Sequence, residues 1–519
     1  MLKLGIFVLF SSILLGCQSS KEYNEKLRSP KNPEQLKSDI DFVHTKLVKY
    51  HPQLYKYISK KELDFKFDSL KLAMNRPFDS REFYLKLSPI VSSIKQGHTA
   101  LYLAMKKDKK QLKPPFNYSP STAFRVEMIG GKLYVIKDNR KDSVVKAGTE
   151  ILSINGVKPL DLFNRYRNTL SSDGYNKTYA ARAFNYRYLS DLYYLKDLKD
   201  SLVCRLKYKD SIWLVDLKEP LRKPVKRPDT LKREKKIEKQ ARTKEVKPRI
   251  KQPKPAKVAG KTLKFLKPDS SIALMTIRNF TKGNYQIFYS RTFKALKKAN
   301  TQTLIIDLRD NGGGRLNDAR SLYSYLVDTP FRMTKKFELT SRVSVLNNIA
   351  AAIPKINFIP SPAVKVIATT VAFPINAYMN LYMRKKEDHS YLYTSSFSRK
   401  ALPKSDNFNG KVYVLINGGT FSASTLLSSN LKGTGRAFFV GEETGGAYNG
   451  CVAGLLPLHT LPQSKLKLRF GLFDIQPEHL SKIEGRGIFP DKEIKATLSD
   501  RLKKVDAELS WVLKDINGK

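Results

Sequence analysis

The sequence predicts an α/β fold preceded by a helical segment and a β-rich segment. Near the N-terminus, Leu36, Ile40, Val43, Leu47 and Tyr50 recur at helical spacing. In the middle, Lys132-Leu-Tyr-Val-Ile136 and Ser201-Leu-Val-Cys-Arg-Leu206 are short runs with strand composition. From Ser271 onward, continuous apolar runs at Thr303 to Leu308 and Lys411 to Ile416 alternate with helix-like stretches, as in a sheet buried on both faces.

The 519 residues leave room for about two to four domains, and 41% hydrophobic content suits a globular core. A formal charge of +48 implies affinity for anionic surfaces, either membrane phospholipid or nucleic acid. The N-terminus favours the membrane. A basic start, Met1-Leu-Lys3, leads into an apolar stretch from Leu4 to Leu15 that is too short to span a bilayer. Leu14-Leu15-Gly16-Cys17 resembles a bacterial lipobox, which implies cleavage before Cys17 and lipid attachment to its sulfur. Residues 1–16 then read as a lipoprotein signal peptide and 17–32 as a polar tether, placing the protein on a membrane of the cell envelope. Cys204 and Cys451 are far apart and lack metal-ligand spacing. An oxidising envelope would permit a disulfide between them, but two buried free thiols are expected. No metal or cofactor is implied.

Residues 33–110 read as a helical N-terminal domain. Asp79-Ser80-Arg81-Glu82 has the composition of a helix cap for a run to Ile94, with Gly97 as a stop and Ala100 to Leu103 as a following strand. His98 falls at that junction, where functional side chains are often displayed. Residues 118–216 are β-rich, and Ala147-Gly-Thr-Glu-Ile-Leu-Ser-Ile-Asn-Gly-Val157 resembles a stretch of PDZ domains, with Asn155-Gly156 as the turn of a hairpin. PDZ domains bind peptide C-termini by strand addition. Residues 218–262 are dominated by Lys and Pro and read as a disordered basic insertion. It suits anionic headgroups better than nucleic acid, since it has no aromatic residues for base stacking.

Residues 263–515 form the expected catalytic core, with an insertion at 328–408 read as a cap over the site or a surface touching the bilayer. Ile272 to Ile277 is a strand and Tyr285 to Ala299 a helix. The strand at Thr303 runs into Arg309-Asp-Asn-Gly-Gly-Gly314, followed by a helix from Leu316 to Leu326. Glycines after a buried strand let the backbone approach a ligand; a phosphate loop is disfavoured because no Lys-Ser/Thr follows. After the strand at Lys411 comes Asn417-Gly-Gly-Thr-Phe-Ser422-Ala-Ser-Thr425 and a short helix, Leu426 to Leu431. A serine there meets the free N–H groups and positive dipole end of a helix, which suit either an N-cap or an oxyanion site. A last helix is expected over Leu502 to Leu513.

Asp307-Leu-Arg-Asp-Asn-Gly-Gly-Gly314, Ser422-Ala-Ser-Thr425, Gly441-Glu-Glu-Thr-Gly-Gly446 and Gly487-Ile-Phe-Pro-Asp491 occur in that order. Together with the PDZ-like stretch and Gly97-His98-Thr99, they resemble the tail-specific, or C-terminal processing, serine peptidases. The resemblance implies a crotonase-like α/β core beside a PDZ domain, peptide or protein substrates, and Ser422 as nucleophile. The processing branch draws its base from a lysine in T-F-G-K-G, but here Ala447 stands at that place. The tricorn-like branch instead uses a His ahead of the PDZ region and a Glu near the C-terminus, and His98 and Glu484 match these. Its pattern has a Ser before the His, where this chain has Gly97.

Chemically, neutral imidazole suits the removal of a serine proton, and a carboxylate would fix its tautomer. The N–H groups of Gly313 and Ala423 are the expected oxyanion donors. The expectation is therefore an envelope-anchored serine endopeptidase. The alternatives are a catalytically silent PDZ-containing peptide-binding or scaffold lipoprotein, which Ala447 favours, and a serine esterase.

Overall fold

The computed structural model describes residues 20–103, 123–140, 145–185, 201–218, 260–281, 283–342, 370, 373–374 and 377–518. The signal peptide, Cys17, most of the basic insertion and part of the expected cap lie outside the described residues.

The N-terminal helices are α1 (Ser20–Arg28), α2 (Pro33–Tyr50), α3 (Lys60–Leu72) and α4 (Ser80–Ser92). Asn32 and Asp79 start α2 and α4 with reciprocal capping boxes, so the cap read at Asp79 is formed. The predicted stripe Leu36, Ile40, Val43 and Leu47 is fully buried. The tether expectation needs correction: residues 20–28 are helical, Leu27 is buried, and Lys31 exchanges backbone hydrogen bonds with Phe78. Leu27 and the capped start of α2 give this stretch enough packing to hold a helix.

After α4 the chain turns through Gly97 and His98 into β1 (Ala100–Tyr102). The β-rich unit comprises β2 (Phe124–Ile129), β3 (Lys132–Asp138), β4 (Glu150–Ile154), a helix α5 (Pro159–Tyr166), β5 (Ser201–Tyr208) and β6 (Ser211–Lys218). Its strands form an antiparallel sheet in sequential order. Asn155 and Gly156 do make a tight turn, both at positive φ, closed by Ile154 and Val157. It is not the bend of a long hairpin, however. The chain enters α5 at Pro159, and β4 pairs with β3 and β5.

The core sheet begins with β7 (Lys261–Phe265) and β8 (Ile272–Ile277). It therefore starts inside the range read as insertion, because Lys261 and Thr262 already pair with Ile277 and Thr276. Helix α6 (Tyr285–Lys298) leads to β9 (Thr303–Asp307), whose five residues are all buried, and then to α7 (Leu316–Ser324). The described parts of 328–408 are more than a cap. They supply β10 (Phe337–Leu339), β11 (Met383–Lys385) and β12 (Tyr391–Tyr393) to a second sheet. The chain returns to the core as β13 (Lys411–Ile416), α8 (Ala423–Gly433) and β14 (Phe438–Gly441).

Strands β15 (Cys451–Ala453), β16 (Leu458–Thr460), β17 (Lys467–Arg469) and β18 (Phe473–Ile475) follow, then β19 (Lys492–Glu493). In the six-stranded core sheet the order is β19-β14-β13-β9-β8-β7, parallel except for the outer β7. Strands β15 and β18 complete the second sheet, while β1, β17 and β16 form a third. Cys204 and Cys451 are buried free thiols. Among the described residues no helix is long and apolar enough to cross a membrane.

The expected last helix is two: α9 (Leu498–Lys503) and α10 (Ala507–Ile516), separated where Lys504 takes a left-handed conformation. Val512 of α10 packs on Ile272, Ile305, Tyr413, Leu415 and Val440, covering one face of the core sheet. Arg309, at the end of β9, pins this helix. It pairs with Asp307 and Asp506, and with Glu508 at 3.0 Å. Glu508 is buried, so removing the guanidinium would strand its charge, while Asp307 would be left with Arg278 alone. Arg309→Leu should lower stability by about 3 kcal/mol in urea denaturation and hasten proteolysis near 504. Wild-type values in both assays would show that α10 is held by its apolar face alone.

Candidate active site

Ser422 lies where the chain turns from β13 into α8. Its φ of 58° and ψ of −127° are a strained combination for a non-glycine residue, costing about 1–3 kcal/mol. Although it occupies the cap position of α8, its hydroxyl makes no capping bond. His98 Nε2 instead lies 3.2 Å from Ser422 Oγ. A strained serine that forgoes its cap to face an imidazole is arranged for proton exchange rather than for helix initiation.

His98 is buried. Burial, and then the charge of Arg469, push its pKa down to about 4, so the ring is a neutral acceptor across the ordinary pH range. Its ring packs on Phe421 with centroids 4.9 Å apart, and Tyr179 stacks on the same phenyl at 4.7 Å. Nδ1 has no hydrogen-bond partner among the described residues.

Ala423 opens α8, so its N–H has no intrahelical acceptor and sits at the positive end of the helix. Gly313 approaches Ser422 closely. Its φ is 90°, and a Cβ there would fall 2.7 Å from Ser422 Cβ. Its N–H, however, donates to Asn311 Oδ1 at 2.9 Å, and serving an oxyanion would require giving up that bond. Asn311 is a residue the sequence reading missed. Its Nδ2 donates to Ile277 O, and its backbone O accepts from Phe421 N (3.0 Å) and Ser424 Oγ (2.9 Å). It thus ties the glycine loop to the turn that carries Ser422.

Glu484 is not joined to His98 by a hydrogen bond. Its carboxylate accepts from the Tyr57 hydroxyl (3.0 Å) and Asn449 Nδ2 (3.0 Å), and pairs with Lys56 Nζ (2.9 Å). Burial opposes its charge, but donation from Asn449, Lys56 and Tyr57 holds the carboxyl below its usual range. The structure therefore brings together two of the three expected catalytic side chains and sets the third in a neighbouring network. Ala447 is buried in the loop beside Ser422, and its N–H donates to Asp173 Oδ2 at 3.3 Å. It bridges Gly487, with Thr444 N donating to Ile488 O and Tyr448 N to Arg486 O. These bonds make one element of two motifs separated in sequence. Asp173, a second buried carboxylate, also accepts from Gly97 N at 2.6 Å. Its sequence signal was at most that of a Ser-Ser-Asp-Gly turn. Among the described residues no group of His, Cys, Asp and Glu side chains could hold a metal ion.

The absence of a serine before His98 has a steric cause. A Cβ on Gly97 would lie 2.5 Å from Phe421 Cζ and 3.0 Å from Asp173 Oδ1. The phenyl is stacked on Tyr179 and packed at a tilt against His98, so it has little freedom to yield. Gly97→Ser should therefore lower stability by about 1–3 kcal/mol and slow reaction at Ser422. Adding Phe421→Ala should recover most of the stability that the serine costs, a coupling readable in a double-mutant cycle of thermal denaturation. Additive effects would place the strain elsewhere.

A scan against family models matches residues 271–494 to Peptidase family S41. No curated protein sequence matches the chain. Among solved structures, mature CPAF is 16% identical with a TM-score of 0.59, over 94% of this chain and 98% of that one. CPAF complexed with lactacystin is 17% identical with a TM-score of 0.61, over 94% and 99%. A CPAF mutant is 16% identical with a TM-score of 0.62, over 93% and 96%. At such identities these likenesses show a shared fold, which extends beyond the matched segment into the helical and β-rich units. The motif loops, the serine and the glycine loop all lie inside residues 271–494, the segment that matches peptidase family S41.

Proposed function

We propose that the protein is an envelope-anchored serine endopeptidase acting on peptides or loosely folded protein tails through an acyl-enzyme. The observation that carries this reading is the 3.2 Å approach of His98 Nε2 to the uncapped, strained Ser422 hydroxyl. In this mechanism His98 accepts the proton as Oγ attacks the scissile carbonyl carbon. The tetrahedral oxyanion is held by Ala423 N–H and, once its bond to Asn311 opens, by Gly313 N–H. The imidazolium then protonates the leaving amine, and a water activated by the same imidazole hydrolyses the Ser422 ester. Glu484 is paired with Lys56 and lacks the direct contact to the base expected from the sequence. The β-rich unit is read as PDZ-like, binding substrate termini at a sheet edge, and Cys17 as the lipidated anchor.

A catalytically silent peptide-binding relative is the second reading, favoured by the occupied Gly313 amide and the alanine at 447. The two separate on exposure of the soluble chain from residue 20 to a fluorophosphonate probe. Wild type should label at Ser422 and Ser422→Ala should not. His98→Ala should slow labelling by roughly 10³-fold or more, while Glu484→Gln should change it less than about tenfold. A folded wild type that takes no label would favour the silent reading, and ester turnover without peptide cleavage would favour an esterase.

A further inference from the structure

The base segment, the loop beside the nucleophile and the loop carrying Glu484 come from distant parts of the sequence, yet one short turn, residues 173–178, is bonded to all three. Gly174 N donates to Lys95 O (2.8 Å), and Tyr175 N donates to Gly485 O (2.7 Å). Asn176 Nδ2 donates to Thr444 O (2.7 Å), and the Thr178 hydroxyl donates to Glu443 O (3.0 Å). The first residue of this turn is Asp173, 2% exposed. Its Oδ1 accepts from Gly97 N at 2.6 Å and its Oδ2 from Ala447 N at 3.3 Å. Gly97 immediately precedes the base. Ala447 follows Gly446, whose backbone is so close to the nucleophile turn that an added Cβ would lie 3.2 Å from Ser422 N.

We infer that Asp173 is the carboxylate that positions the base. It acts through the backbone amide of Gly97 rather than through the imidazole, and it locks that amide to the Ala447 amide beside Ser422. This inference rests on the reading of Ser422 and His98 as nucleophile and base. One ionised carboxylate gripping two backbone N–H groups fixes their separation, since each bond is charge-assisted and short-ranged. The imidazole has no partner at Nδ1 to hold it, so its aim at Ser422 depends on its backbone and on the Phe421 ring. Asp173 is thus a positioning residue, with no contact to reacting atoms.

The grip requires charge. Burial pushes the Asp173 carboxyl up to about 6, against the two amides and the ammonium of Lys56, which favour the ionised form. Other groups face the same space. The Tyr57 phenol and the Cys451 thiol are both pushed up and stay neutral, Glu484 is held below the usual carboxylate range, and Asp474 is pushed up to about 6 by burial. His98 alone would keep the site active down to about 4. Because Asp173 is ionised only above its own pKa, activity limited by it should fall as pH drops through about 6.

The test is the pH dependence of fluorophosphonate labelling at Ser422, resolved into kinact and KI, for wild type, Asp173→Asn and Asp474→Asn. Asparagine keeps the size of the side chain but presents an NH₂ to one of the two donors. The expected result is a wild-type acid limb near 6. Asp173→Asn should show kinact reduced about 10–100-fold at unchanged KI and melting temperature, with the limb near 6 lost, whereas Asp474→Asn should keep that limb. A wild-type limb near 4, or wild-type kinact in Asp173→Asn, would overturn the role of Asp173 and leave the Ser422–His98 pair standing. A loss that merely tracks the unfolded fraction, or one confined to KI, would overturn it equally. If Asp173→Asn does not fold, the wild-type limb with the Asp474→Asn control decides. A folded wild type that never labels would overturn both readings.

Discussion

The pairing of β1 with β17 is the contact on which the candidate site depends. His98 and Ser422 are 324 positions apart and belong to different units of the chain. Ala100, Leu101 and Tyr102 pair with Arg469, Leu468 and Lys467, which fixes the chain two residues beyond the imidazole to the core. The adjoining stretch is clamped from the other side. Asp39 of α2, fully buried, accepts from the amides of Gln463 and Ser464, and the Ser80 hydroxyl donates to Ser464 O. A three-residue strand alone would be marginal. Its register holds because α2 and α4 grip the same turn, so the helical unit is part of the site rather than an appendage.

The second constraint is local and steric. Ser422 must turn the chain from a buried strand into a buried helix while presenting its hydroxyl, and the backbone strain this costs is offset by the packing around it. Residues Ala423 to Leu431 of α8 are all buried, Phe421 N is bonded to Asn311 O, and Thr420 Oγ1 donates to Leu308 O. The same crowding makes residue 97 a glycine, because the Phe421 ring that backs the imidazole fills the space a side chain would need. With no side chain at position 97, it is the Phe421 ring that backs the imidazole. A hydrogen bond would fix its tautomer, whereas the stack fixes only its plane.

Much of this was legible in the sequence where one element carries its own signal. The apolar periodicity of α2, the capping residues at Asp79, the strands β8, β9 and β13, and the motif loops fell where local rules placed them. Ser422 and His98 were legible because motifs and junctions mark them. What was not legible depends on contacts between distant segments. Glu484 sits beside its own motif, but its partners Tyr57, Lys56 and Asn449 come from elsewhere and draw it away from the base. Asp173 carries no pattern beyond that of a Ser-Ser-Asp-Gly turn, since two backbone amides contributed by other loops select it. The split between α9 and α10 turns on a single left-handed lysine, invisible to helical periodicity.

The surroundings of Lys56 suggest why the site carries more carboxylates than a triad needs. The imidazole is tuned for accepting a proton only in the sense that it is neutral; lowering its pKa from 6.5 to about 4 makes the imidazolium costlier by about 3 kcal/mol. That cost falls on the step in which the base is charged. A carboxylate bonded directly to Nδ1 would offset it, but here no such bond is made. Negative charge is instead gathered close by: Glu484 is paired to Lys56, and Asp173 and Asp474 both feel the same ammonium. A lone buried acidic cluster would neutralise itself by protonation, and Lys56 offsets that tendency. None of these carboxylates is bonded to the imidazole, and the charge that does act on it, that of Arg469, favours the neutral ring.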